Sequence, residues 1–116
     1  MIVNKPSIFI YTYNADQKLL KEICAGIEEE GVLYEIHERQ GELDSLAFDA
    51  AAESILGSGI GICGSKVAMQ MKRLEKGHNV FELNDPEAWQ CRSLGANSAR
   101  AIKKMPFKTM FGDEQL

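Results

Sequence analysis

Apolar positions at the start of the chain switch from strand spacing to helical spacing. The segment SIFIYTY at 7–13 follows Pro6, is rich in β-branched and aromatic residues, and predicts a central β-strand. A helical spacing follows, for which Asn14 or Asp16 can serve as the N-cap and Gly31 as the residue that ends the helix. The apolar residues of this predicted helix form one stripe: Leu19, Leu20, Ile23, Cys24 and Ile27.

The same switch occurs again in the middle of the chain. The segment VLYEIHE at 32–38 alternates and predicts a second strand, and an Ala-rich helix is expected from Asp44 or Ser45 to about Ile55. A short strand lies within GSGIGICGS at 57–65, where the glycine spacing indicates close packing of backbones.

The segment KVAMQMKRL at 66–74 fits both periodicities. Val67, Met69 and Met71 alternate as in a strand, whereas Val67, Met71 and Leu74 share one face of a helix. The residues alone therefore leave this segment open.

A strand and a long helix are predicted near the C-terminus. The segment HNVFEL at 78–83 is typical of a strand, and NDPE at 84–87 predicts a helix start with Asp85 as the cap. This helix is expected to run to about Lys104, and 107–116 is expected to be a loose tail. Its predicted buried stripe contains Cys91, Leu94, Ala101, Ile102 and Met105.

The alternation of strands and helices predicts one α/β domain over residues 1–116. The expected architecture is an open, mostly parallel sheet with helices on both faces, similar to a Rossmann fold. A composition of 45% apolar and 26% charged residues is ordinary for a globular protein, and a net charge of −4 argues against nucleic-acid binding. No basic start with a long apolar run is present, so a cytoplasmic protein is expected. Its three scattered cysteines are expected to be reduced thiols, two of them buried.

Three consecutive acids, in AGIEEEG at 25–31, occupy the last turn of the first predicted helix. The helix dipole disfavours carboxylates there by about 0.3–1 kcal/mol each. Helical spacing places Glu29 opposite the apolar stripe and Glu28 at its edge, while Glu30 would point at the core unless the helix ends at Gly31. A solvated acidic face is the plain interpretation. The alternative is that Glu29 binds a hard cation such as Mg²⁺, with the other ligands supplied by a second chain.

The glycines at 59, 61 and 64 match GxGxxG. A dinucleotide site requires this motif to follow a strand and open a helix, whereas here it coincides with the predicted strand itself. His37 and His78 are isolated, and no catalytic constellation can be assigned from spacing. The chain is therefore expected to be non-catalytic.

Two segments, CAGIEEEGV at 24–32 and RSLGANSARAIKKMPF at 92–107, carry a family resemblance. They resemble the small subunit of the reactivating factors of adenosylcobalamin-dependent glycerol and diol dehydratases, whose fold also occurs in the dehydratase medium subunit. The region between them matches loosely, although a strand at 66–74 would agree with the family. The matching residues are Gly26, Glu28, Glu29, Gly31, Leu94, Gly95, Asn97, Ala99, Lys103, Pro106 and Phe107.

The resemblance implies a chaperone-like role for the chain. In this family a large ATPase subunit and the small subunit assemble as a hetero-oligomer, with two of each expected here. The small subunit then exchanges with the dehydratase medium subunit so that damaged cobalamin is released. By resemblance Glu29 is a ligand of a magnesium ion at the large-subunit interface, and Glu28 and Glu29 are interface candidates.

Other interpretations stay open at this point. The chain could be a medium-subunit-type module of the dehydratase itself, or a small nucleotide-binding protein that uses Gly59–Gly64. The sequence does not distinguish a glycerol from a propanediol dehydratase client. It also leaves open microcompartment association and self-association of the chain without its large partner.

Overall fold

A computed structural model describes residues 5–111 of the chain. Five strands and three helices form one open mixed sheet with helices on both faces, which confirms the predicted fold class. In chain order the elements are β1 (Ile8–Tyr13), α1 (Gln17–Glu29), β2 (Tyr34–Glu38), α2 (Leu43–Glu53), β3 (Ser58–Cys63), β4 (Lys66–Met71), β5 (Phe81–Asn84) and α3 (Ala88–Lys103).

The strands lie in the order β2-β1-β3-β4-β5. β1 is parallel to both β2 and β3, and β4 is antiparallel to both β3 and β5, so β4 alone runs against the others. β3 and β4 form a tight hairpin through Gly64 and Ser65, where Gly64 has a φ of +60°. A connection this short permits only an antiparallel neighbour, and it decides the open question at 66–74 in favour of a strand.

The two faces of the sheet are covered differently. α1 and α3 pack together on one face, called here the paired-helix face, and α2 packs alone on the other, called the single-helix face. The large buried aliphatic side chains of the sheet lie on the paired-helix face: Ile8, Ile10, Ile60, Ile62, Val67 and Met69. Side chains alternate between the two faces along β1 and β3, so the residues between these buried aliphatic ones face α2.

The start and the buried face of α3 differ from the sequence prediction. Glu87, and not Asp85, is the N-cap: its side chain and that of Gln90 each accept from the other's backbone. Asp85 instead has a φ of +54° in the preceding turn. Met105, expected in the buried stripe, is 40% exposed because it lies beyond the end of the helix. The fully covered part of the helix is its middle, around Leu94, Ala96 and Asn97.

The first residues of the expected loose tail are held against α3. The amide side chain of Asn97 accepts a hydrogen bond from the backbone N–H of Lys108 (2.6 Å) and donates one to its carbonyl oxygen (3.0 Å). Gln90 donates to the carbonyl oxygen of Met110, whose side chain is only 3% exposed. The rest of that prediction, 112–116, lies outside the described residues.

Among residues 5–111, no helix has the length and apolar character needed to cross a membrane.

Candidate partner interface

α1 and α3 cross in direct backbone contact at two glycines. A Cβ atom added to Gly26 would lie 2.0 Å from the carbonyl oxygen of Arg92, and one added to Gly95 would lie 2.1 Å from that of Ile23. No side chain fits at such distances, because a packed interior leaves no free volume for an added methyl group. The crossing therefore depends on these glycines, and it brings the acidic end of α1 beside the basic residues of α3.

Glu30 is held by two cations of α3. Its carboxylate oxygens lie 3.0 Å from Nε of Arg100 and 3.1 Å from Nζ of Lys103, and its side chain is only 9% exposed. Lys103 also donates to the backbone carbonyl oxygen of Glu30 (2.9 Å), one of the groups left unpaired at the end of a helix. Desolvation raises the pKa of the Glu30 carboxyl, but the hydrogen bonds from Lys103 and Arg100 outweigh it, and the net pKa lies below its usual value.

The two ion pairs of Glu30 change the explanation of the acidic run. The sequence suggested that the end of α1 at Gly31 would turn Glu30 away from the core, but it does not release Glu30 into solvent. Glu30 is the C-cap and stays nearly buried, and Gly31 follows with a φ of +73°. Arg100 and Lys103 offset both the buried carboxylate and the negative end of the α1 dipole.

Glu28 has a local partner on β2. The hydroxyl of Tyr34 donates to Oε2 of Glu28 at 3.2 Å on the protein surface. Burial raises the pKa of Tyr34 to about 12, so the phenol remains a donor across the physiological range. Glu28, predicted at the edge of the apolar stripe, is exposed and contacts the edge strand β2.

Glu29 is an exposed carboxylate at this helix end. Its side chain is 47% exposed, and its one ionic partner among residues 5–111 is Arg92, 3.3 Å from Oε2. Arg92 also lies 3.0 Å from Glu22, so its guanidinium bridges two carboxylates. An exposed pair of this kind contributes roughly 0–1 kcal/mol and exchanges easily for another partner.

Residues 5–111 do not by themselves assemble a magnesium site around Glu29. No group of three or more His, Cys, Asp or Glu side chains within residues 5–111 could hold a metal ion. Mg²⁺ requires near-octahedral oxygen coordination, and Glu29 offers one carboxylate beside a positive guanidinium. Within residues 5–111, a magnesium ion beside Glu29 would therefore need further ligands from a second chain and from water molecules.

A second exposed region lies on the single-helix face, beside α2. The ring of His37 packs edge-on against Phe9 and Tyr11, with centroids 5.5 Å and 5.8 Å apart, and the guanidinium of Arg39 lies 4.1 Å from the centroid of Tyr11. Tyr11 also donates a hydrogen bond to Glu53 of α2. The sequence treated His37 as isolated, since Phe9 and Tyr11 are adjacent to it only through the pairing of β1 with β2.

The glycine-rich stretch is structural. A Cβ atom at Gly59 would lie 2.2 Å from the backbone nitrogen of Ala51, and one at Gly61 would lie 2.6 Å from that of Ala47. These glycines let α2 press onto β3, and β4 rather than a helix follows them. A phosphate-binding turn at a helix N-terminus is therefore not formed, and the nucleotide-binding interpretation of Gly59–Gly64 is wrong.

Two cysteines are buried, as predicted. Cys24 and Cys91 lie in the core of the paired-helix face. Burial raises the pKa of both thiols. The pKa of Cys91 rises to about 11, because the charges of Glu22 and Asp16 add to the effect of burial. A thiol that stays protonated at neutral pH is a poor nucleophile.

Comparison with known proteins connects this fold to one family. Residues 5–108 match the family model of the dehydratase medium subunit. The chain is 32% identical over 107 residues to the diol dehydratase-reactivating factor small subunit of Klebsiella michiganensis, an alignment covering 90% of this chain and 86% of that protein. It is likewise 32% identical over 107 residues to the propanediol dehydratase-reactivating factor small subunit of Salmonella typhimurium, covering 90% and 92%.

Solved structures agree with the sequence matches. A chain in the structure of a diol dehydratase-reactivating factor complexed with ADP and Mg²⁺ superposes with a TM-score of 0.86 at 30% identity, covering 91% of this chain and 100% of that one. A chain of a glycerol dehydratase reactivase shares the fold, with a TM-score of 0.87 at 24% identity. The chain thus belongs to the dehydratase medium subunit family and is related within it to the small subunits of dehydratase-reactivating factors.

Proposed function

We propose that this chain is the non-catalytic small subunit of an ATP-dependent, chaperone-like reactivating factor. Its client would be an adenosylcobalamin-dependent glycerol or diol dehydratase that has been inactivated and retains damaged cobalamin. The observation that carries the proposal is that two kinds of protein share this fold. The family model is that of the dehydratase medium subunit, and the similar proteins are reactivating-factor small subunits.

A shared fold supports release by subunit exchange. Two chains with the same backbone shape can present equivalent surfaces to one partner, and they then compete for it. The large subunit of the factor would release this chain, bind the medium subunit of the dehydratase in its place, and so loosen the damaged enzyme. We assign ATP hydrolysis to the large subunit, in a hetero-oligomer of two large and two small subunits.

The acidic end of α1 is the surface proposed to meet the large subunit. Glu29 is exposed, and its contact with Arg92 is weak enough to be exchanged in a complex. We propose Glu29 as one ligand of a magnesium ion at this interface, with Glu28 as its neighbour there. Glu30 is excluded from this role, because its two ion pairs hold it within the chain.

Co-elution of the chain with the large subunit of a dehydratase-reactivating factor tests the proposal. Size-exclusion chromatography with and without magnesium should show a complex that magnesium stabilises. Glu29→Gln should weaken the complex in magnesium, whereas Glu75→Gln, an exposed carboxylate on the β4–β5 connection, should not. Separate elution of wild-type chain and large subunit under both conditions would contradict the assignment.

A medium-subunit-type module of the dehydratase itself is the second candidate, because the family model carries that name. Binding of cobalamin together with the other dehydratase subunits, and not with the ATPase, would favour it. Cytoplasmic location, with or without a microcompartment, follows from the client enzyme under either proposal.

A further inference from the structure

β2 forms an open edge of the sheet. It pairs with β1 alone, no other strand within residues 5–111 lies beside it, and the side chains from Glu35 to Glu38 are exposed. Natural proteins usually protect such an edge, because its unpaired N–H and C=O groups can bind another strand.

The register with β1 shows which backbone groups face outward. Ile8 donates to the carbonyl oxygen of Leu33, and Arg39 donates to that of Thr12. Peptide groups alternate in direction along a strand, so the odd-numbered residues of β2 bond to β1. The N–H and C=O groups of Tyr34, Ile36 and Glu38 therefore point away from the sheet.

The exposed edge is complementary to itself. An antiparallel pair of β2 strands centred on Ile36 would place Ile36 opposite Ile36 and Tyr34 opposite Glu38, and all of these residues present outward backbone groups. Glu35 of each copy would then lie opposite His37 of the other, in the closely spaced non-hydrogen-bonded positions. Within one chain His37 already lies 3.1 Å from Glu35, so the two side chains share a face of the sheet.

Neighbouring registers lack this complementarity. A centre at Glu35 would oppose two carboxylates directly, and a centre at His37 would place apolar Ile36 against Glu38. Ile36 is 44% exposed in the single chain and gains an apolar contact only in the register centred on itself. An imidazole directly opposite a carboxylate can donate a hydrogen bond to it, whereas like charges directly opposite destabilise a strand pair.

We infer that two copies of this chain associate through antiparallel pairing of β2, forming one continuous sheet across a two-fold axis at Ile36. The association is weak and concentration-dependent, because a single strand pair buries far less area than a stable protein interface. It uses backbone groups of β2 that no strand within residues 5–111 pairs.

Light scattering coupled to size-exclusion chromatography, over a wide range of protein concentration, measures the association. The wild-type chain should shift from the mass of one chain toward that of two as concentration rises. Ile36→Pro removes the outward N–H and the apolar side chain but leaves the bonds to β1 intact, so it should raise the dissociation constant at least about tenfold. Ile36→Thr retains that N–H and should have the smaller effect; circular dichroism confirms that each variant is folded.

A charge exchange tests the register itself. His37→Glu places acids opposite acids and should abolish the dimer, whereas the double variant Glu35→His, His37→Glu restores the carboxylate–imidazole pairs and should recover it. A dimer that survives both Ile36→Pro and His37→Glu would use another surface, and the inference would be wrong.

Cross-linking gives an independent readout. Residues opposite each other in a hydrogen-bonded pair have Cα atoms about 5.5 Å apart, within disulfide range. In a Cys63→Ser background, Ile36→Cys should form a disulfide-linked dimer much faster than Ile55→Cys, a control at a position that is 68% exposed. Equal rates, or a wild-type chain that remains monomeric at every concentration, would overturn the inference. An edge that instead pairs with a strand of another protein would give that monomeric result.

Discussion

The two faces of the sheet are built from alternate residues of the same strands, yet they are completed in different ways. On the paired-helix face, Ile10 of β1 is fully buried beneath two helices that touch at Gly26 and Gly95. On the single-helix face its neighbour Phe9 remains half-buried, because α2 lies over β3, β4 and β1 and leaves the β1–β2 side uncovered. The strand pattern sets which face a side chain occupies, and the helices decide how completely it is buried.

The charged margins of the two faces differ in the same way. The paired-helix margin is closed by ion pairs from α1 to α3, and Glu30 is the most buried member. The margin beyond α2 ends at an open strand, where His37 contacts Glu35 within β2 and Arg39 pairs with Glu53 of α2. The first margin stabilises the domain, and the second is available for association.

Blocking the close contact between α1 and α3 at a glycine is expected to have the largest effect on stability. Gly95→Ala places a methyl group against backbone and should lower the free energy of unfolding by more than about 4 kcal/mol, or prevent folding. Gly64→Ala is the control: nothing lies near it, and only its positive φ should matter, at about 1 kcal/mol. Urea denaturation measures both, and equal losses would show that the close crossing is not required.

Truncation of adjacent residues in β1 compares the faces directly. Ile10→Ala removes a fully buried side chain and should cost about 3 kcal/mol, whereas Phe9→Ala on the uncovered side should cost about 1–2 kcal/mol despite the larger ring. The same denaturation experiment separates them. A larger loss for Phe9→Ala would mean that its surface is covered in solution, for example by a second copy.

Glu30→Gln should lower stability by about 1–2 kcal/mol at neutral pH, because Arg100 and Lys103 lose a nearly buried partner. The pKa of Glu30 is depressed in the folded state, so its contribution is complete above the unfolded-state pKa of about 4.3 and is lost as pH falls through the folded value. The difference between wild type and Glu30→Gln should therefore shrink on acidification below about pH 4. A difference that stays constant with pH would exclude the ion pairs as its cause.

Glu29→Gln should have the smallest effect on the isolated chain, within about 0.5 kcal/mol, since its pair with Arg92 is exposed. A larger loss of stability would make Glu29 a structural residue like Glu30. Near-neutral stability combined with weakened magnesium-dependent assembly would separate the two acids by role.

Much of the fold follows from local pattern. The stripe of α1, the cap at Asp16 and the end at Gly31 are set by residues close in sequence, and the structure confirms them. The predicted N-cap of α3, Asp85, is wrong. Asp85 and Glu87 both lie in a turn sequence suited to capping, and the reciprocal bonds with Gln90 favour Glu87. The segment at 66–74 could not be assigned from its own periodicity, since its strand depends on pairing with β3 and β5.

The candidate surface was predictable only in part. Helical spacing alone placed Glu29 outward, where the structure also has it. The roles of Arg92, Arg100 and Lys103 had no local signal, because they reach α1 across 63 to 73 residues of sequence. The cluster of Phe9, Tyr11 and His37 likewise exists only through the β1–β2 register.

By itself the sequence determined the order of the elements outside 66–74, the apolar stripe of α1 and the outward direction of Glu29, since each depends on spacing within a few residues. Tertiary structure decided which acid is neutralised, which glycines are indispensable and which strand is left open. Those outcomes depend on the distance between backbones far apart in the chain, a quantity that local periodicity does not contain.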